Sequence, residues 1–111
     1  MYNYAIPMIA MLRGTLVEKH PNQAILDVGG VGYDVTIPIT TFSNLPDPGS
    51  QALLRIYTHV REDTLALYGF LTADEKNLFE KLIGVSGIGP SLAVKVLSGM
   101  AAADLLTAIR T

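Results

Sequence analysis

Val85-Ser86-Gly87-Ile88-Gly89-Pro90 lies between two apolar helical runs, and the rest of the chain is read outward from it. Before it, Leu78, Phe79, Leu82 and Ile83 recur at the spacing of one helix face. After it, Leu92, Ala93, Val96 and Leu97 do the same. Glycine reaches φ > 0 and admits close backbone approach, and proline suits the first turn of a helix, where its missing N–H is no loss. The pattern therefore predicts a tight turn with free amides beside a helix N-terminus, a surface that suits a phosphate. The same spacing also serves a plain helix–helix turn chosen for geometry. The hexapeptide alone leaves both readings open.

Upstream of the turn, Thr72-Ala73-Asp74-Glu75 reads as a capping box, with the Thr72 hydroxyl on the Glu75 amide and the Glu75 side chain reaching back. Downstream, Ser98-Gly99 reads as the end of the second helix, with Gly99 at C′. Ala102 to Arg110 predicts the start of a third helix with Leu105, Leu106 and Ile109 as its apolar stripe.

The first half alternates instead. Ile9–Lys19, Gln23–Val28, Tyr33–Ile37, Leu53–Val60 and Leu65–Phe70 read as five short strands, with a bulge or bend at Gly14. Gly29-Gly30-Val31-Gly32 lacks the Lys-Ser/Thr of a phosphate-binding P-loop and precedes a strand, so it reads as a hairpin turn. Thr40–Leu45 reads as a short helix or turn before Pro46-Asp47-Pro48-Gly49. Five strands, a glycine in the first and a small element between the third and fourth predict an OB-type barrel, a fold that often binds nucleic acid. The fold class is thus mainly β, then α: a barrel over residues 8–71 and a helical segment over 72–111. Met1 to Pro7 does not continue the first strand and reads as a leader or alternative start, with Met8 as the natural first residue.

Composition narrows the chemistry. The 111 residues are 50% hydrophobic and 16% charged, which predicts a packed core rather than disorder. A net charge of −2 gives no global attraction to nucleic acid, so binding must come from local Arg, Lys and backbone amides. The absence of cysteine excludes disulfides and thiolate metal sites and fits a cytoplasmic chain. No apolar run reaches membrane-spanning length, so no membrane partner is expected. Between the last two strands, His59-Val60-Arg61-Glu62-Asp63-Thr64 places three adjacent charges at a tip. A solvated hairpin end is the plain reading. Metal catalysis would need a third ligand, which the sequence does not supply nearby.

Val60-Arg61-Glu62-Asp63 followed by Leu67-Tyr68-Gly69-Phe70 resembles the end of the first domain of the RuvA family of bacterial Holliday-junction-binding proteins. The resemblance extends to Leu12-Arg13-Gly14, to Gly29–Tyr33 and to Leu82–Gly99, and so covers nearly all of residues 8–110 in order. Leu82 to Ala93 resembles a helix-hairpin-helix, which binds DNA backbone without reading sequence. The resemblance implies DNA-binding roles for Gly87, Ile88, Gly89, Ser91 and Lys95, with Arg61 steering a phosphate and Glu62 and Asp63 forming an acidic pin at the junction centre. It implies no catalytic residue, metal or cofactor. The implied partners are four-way junction DNA, three further copies in a homotetramer, a RuvB-type ATPase motor and a RuvC-type resolvase. Two features depart from the family. Ser91 stands where members often carry a basic residue, with Lys95 one turn on. The family's second hairpin and its C-terminal motor-binding domain have no counterpart in residues 72–111. Two rivals remain from the residues alone. A hairpin-bearing nuclease or glycosylase would need an acid, histidine or lysine placed to act on DNA. A single-strand-binding barrel would need exposed aromatic platforms.

Overall fold

Inward-facing apolar residues at alternate positions close five strands into a barrel. The computed structural model describes residues 8–99. In chain order the elements are β1 (Met11–His20), β2 (Gln23–Val28), β3 (Val31–Thr36), α1 (Ile39–Asn44), β4 (Gln51–Arg61), β5 (Thr64–Phe70), α2 (Ala73–Ile83) and α3 (Pro90–Gly99). All five expected strands are present, displaced by at most two residues at an end. The closed order is β1-β2-β3-β5-β4. Strand β1 is long enough to serve two neighbours: Met11 to Thr15 pairs with β4, and Thr15 to His20 pairs with β2. The barrel shuts where β3 meets β5 in parallel at Thr36 and Tyr68. Leu16, Leu26, Val35, Leu54 and Ile56, from four strands, are sealed inside.

The irregularity in β1 falls between Leu16 and Glu18, not at Gly14. Gly14 serves a different purpose. A Cβ there would collide with the Asp27 carbonyl and lie 2.9 Å from the Val28 side chain, so the glycine lets β1 cross tightly over β2. The bend itself is made by the extra residue at Val17, which is left exposed. Gly29 and Gly30, at φ +62° and +92°, form the β2–β3 turn, and the Gly30 amide donates to Asp27 Oδ1 at 2.8 Å. That is hairpin geometry.

Helix α1 covers one end of the barrel with buried Thr41, followed by buried Leu45. Lys19 Nζ donates to the Leu45 carbonyl at 3.1 Å and lies 5.4 Å from the Phe42 ring centre.

Strand β5 joins this core to a second one. Leu67 faces the barrel interior, while Tyr68 and Phe70, on the other face, pack with Leu78, Phe79 and Leu82 of α2 and Ala93, Val94 and Leu97 of α3. Phe79 is the wedge: its ring centre lies 4.9 Å from Phe70, 5.2 Å from Tyr57 and 5.5 Å from Tyr68. Such pairs add to the area they bury. The aromatics of the central sheet are therefore spent on fastening helices to barrel.

Three details differ from expectation. The Thr72 hydroxyl does accept from the Glu75 amide, at 3.1 Å, but the Glu75 carboxylate does not complete the box. It accepts from Thr40 Oγ1 at 2.7 Å and from Thr41 Oγ1 at 3.4 Å, because α1 offers two hydroxyls where the helix starts. The buried face of α3 is Ala93, Val94 and Leu97, with Leu92 46% exposed. α3 packs against both α2 and α1, which turns its face by one residue. Gly99 is still helical, so it is not the C′ residue. Ile39 N donates to Ser98 Oγ at 3.0 Å and ties α3 to the base of α1. The expectations for residues 1–7 and for a helix at 102–110 lie outside the described residues.

Candidate nucleic-acid interface

The α2–α3 turn owes its shape to two residues. Gly87 stands at φ +88°, where a side chain would be strained, and Pro90 begins α3. Ile88 holds the loop from beneath: it packs partly buried against the second core, and its amide donates to Val85 O at 3.1 Å. The amides of Gly87 and Gly89 donate to no carbonyl or side chain among the described residues, and both glycines are exposed. A Cβ at either position would meet nothing of the protein, so the space above them is open. Two free N–H groups beside a helix start can take an oxyanion.

The acidic tip is a two-residue connection, Glu62-Asp63, between the paired ends Arg61 and Thr64. Among the described residues no residue other than glycine has positive φ, so this is not the primed turn that two-residue hairpins favour. An Asn-Gly pair would favour the primed turn instead. The acids therefore sit at the tip against local turn preference. Both are exposed, and the one ion pair among the described residues is Glu18 with His20, far along the chain. Asp63 accepts only the neighbouring Thr64 hydroxyl, at 3.1 Å. Arg61 is adjacent in sequence, but its Nε donates to His59 Nε2 at 2.9 Å, on its own strand face. That leaves the carboxylates without a cation of their own. Among the described residues, no three His, Asp or Glu side chains converge as metal ligands would.

Ser91 and Lys95 stand one helical turn apart on α3 and are exposed. They line a cleft of about 240 Å³ with Val94 and with Asn22, Thr36 and Tyr68 of the barrel. Sequence reasoning missed the three barrel residues. The one available signal was alternation: Val35 points into the core, so Thr36 must point out. What it points toward depends on the closure of β3 on β5, which no local pattern carries.

A family model described as the RuvA N terminal domain matches residues 8–69. The chain belongs to the RuvA family. It is 74% identical over 103 residues to a Solibacter usitatus protein named "Holliday junction branch migration complex subunit RuvA", a match covering 93% of this chain and 52% of that protein. Proteins of the same name from Acidobacterium capsulatum and Syntrophotalea carbinolica are 54% and 56% identical over 103 and 102 residues. Those matches cover 93% and 92% of this chain and 52% and 51% of the relatives. The chain thus spans about half the length of the curated RuvA relatives it matches. The family model's stretch includes the barrel and the acidic tip, while the α2–α3 turn lies beyond it.

Proposed function

We propose that this chain binds four-way DNA junctions by their backbones, as the DNA-recognition part of an ATP-dependent branch-migration complex acting in recombination and repair. The observation that carries the reading is the pair of unpartnered glycine amides at the α2–α3 turn, open to solvent at a helix start. In this reading α2, the turn and α3 form the first helix-hairpin-helix of a domain beginning at residue 72, and residues 8–71 are the barrel that frames it. Gly87 and Gly89 donate to phosphate oxygens, Ile88 fixes the loop, and Ser91 and Lys95 add a hydroxyl and a cation. Arg61 steers a phosphate beside the tip. Glu62 and Asp63 act by repulsion: carboxylates without counter-charges disfavour the approach of converging phosphates and hold the arms apart. Nothing in this requires bond chemistry, so the chain is a non-catalytic subunit and a separate RuvB-type ATPase supplies the work. Four copies surround the junction in the cytoplasm, and a RuvC-type resolvase is a further partner.

Gel shifts with a four-way junction, a linear duplex and a single strand of matched sequence test the reading. The expected order is junction over duplex over single strand. Preference for the single strand would favour a stacking barrel instead, and divalent-dependent cleavage would favour a nuclease. Native mass on the same complexes reports the number of copies bound.

A further inference from the structure

We propose that the cleft between the barrel and α3 is a second backbone-phosphate site, in which Asn22, Thr36 and Tyr68 of the barrel act together with Lys95 on one phosphodiester. This rests on the DNA-binding reading above and extends it from the turn to the barrel.

Five polar side chains line the cleft: Asn22, Thr36, Tyr68, Ser91 and Lys95. None of them makes a side-chain hydrogen bond or ion pair with another described residue. Tyr68 is only 8% exposed, yet no described group takes its hydroxyl. No buried side-chain nitrogen or oxygen among the described residues lacks a partner, so this hydroxyl is not sealed off and is free to donate into the cleft. The chemistry is also one-sided. Lys95 is the single charged lining residue, there is no carboxylate, and the other four can each donate a hydrogen bond. One positive charge and several neutral donors match a singly charged phosphodiester better than a dianion or a cation.

The barrel side is rigidly placed. Gln23 pairs with Thr36 across β2 and β3, and Thr36 pairs with Tyr68 across the closure. Ile37 N donates to Asn22 O at 3.2 Å, which brings the β1–β2 turn to the same edge. The helix side is fixed by the Ile39–Ser98 bond and by Val94 and Leu97 in the second core. Ser91 and Lys95 are about 6 Å apart along the axis. The turn amides, Ser91 and Lys95 therefore follow one another through the turn and the first two turns of α3.

The test is a double-mutant cycle in the 111-residue chain, reading junction affinity at several salt concentrations. Lys95→Gln should weaken binding about tenfold and reduce the salt slope by about 0.9, the loss of one phosphate contact. Thr36→Val, which keeps shape and strand preference, should weaken binding about threefold. In the double variant the Thr36→Val effect should disappear, because the phosphate it helps to hold is no longer there. Tyr68→Phe removes the hydroxyl while keeping the ring on Phe79, and repeats the cycle if Thr36→Val disturbs the sheet. Binding unchanged by Lys95→Gln but abolished by Gly87→Val with Gly89→Val overturns the cleft and leaves the turn reading intact. Binding unchanged by either set overturns both. A Lys95→Gln loss to which Thr36→Val and Tyr68→Phe are additive or silent also overturns the cleft, since Lys95 then acts as a distant charge.

Discussion

At Gly87 the demands of the backbone and of the proposed phosphate coincide. Its φ of +88° strains any L side chain, and open space above it leaves the amide accessible. Gly89 has no such strain, so a Cβ there obstructs only what approaches from outside. Gly89→Val should accordingly leave the melting temperature nearly unchanged while lowering DNA affinity at least tenfold. Gly87→Val should lower both, with about 1 kcal/mol or more of stability lost to strain. Thermal melts beside gel shifts separate the two effects. If Gly89→Val binds as the parent does, phosphate does not meet the turn amides. The acidic tip makes the opposite trade. Replacing Glu62-Asp63 by Asn-Gly supplies the primed-turn residues, and should stabilise the hairpin by roughly 0.5–1 kcal/mol. Unchanged or reduced stability would mean that the acids do not oppose the local turn preference.

Among the elements, β5 and α2 decide whether barrel and helices act as one body. Phe79 is fully buried among Tyr57, Tyr68 and Phe70, so Phe79→Ala should cost about 3–5 kcal/mol. Chemical denaturation would measure it, and a cost below about 1 kcal/mol would show that the two cores are not coupled through this ring. The strands, both helices and the shape of the turn were legible in the chain, because period-two and helical spacing are local and Gly87 and Pro90 have few other uses. Gly14 was misread because its purpose is an approach by Asp27, thirteen residues away in sequence on the neighbouring strand. The Glu75 carboxylate was misassigned for a similar reason: the competing hydroxyls of Thr40 and Thr41 arrive only when α1 folds against α2. That Phe79 gathers three aromatic rings was not legible either, because they come from two strands that meet it only in the fold. The acidic tip and the turn were legible as local features of the chain. The cleft was not, because half of it lies on strands whose outward faces carry no distinguishing pattern.

Over the whole molecule, a net charge of −2 gives no general attraction to nucleic acid, so the proposed DNA affinity is assigned to the turn, the cleft and Arg61. Few phosphates are then neutralised, so the salt slope should be shallow, with a magnitude of about 1–3. A slope near 10 would place the contacts elsewhere. The apolar faces around Leu78 and Leu82 offer no surface to other copies, since the chain's own core buries both residues. The proposed tetramer must use other surfaces. Light scattering at high concentration should still find four copies, and monomer mass throughout would remove the tetramer. In the proposed function, geometry and repulsion, not sequence or catalysis, select a four-way junction. The most direct measurement compares the parent with Glu62→Gln, Asp63→Asn for junction and linear duplex at about 50 and about 150 mM salt. The neutral tip should bind duplex more tightly and show a smaller junction-to-duplex ratio, with the gain larger at low salt. Duplex binding no tighter than the parent's would contradict it.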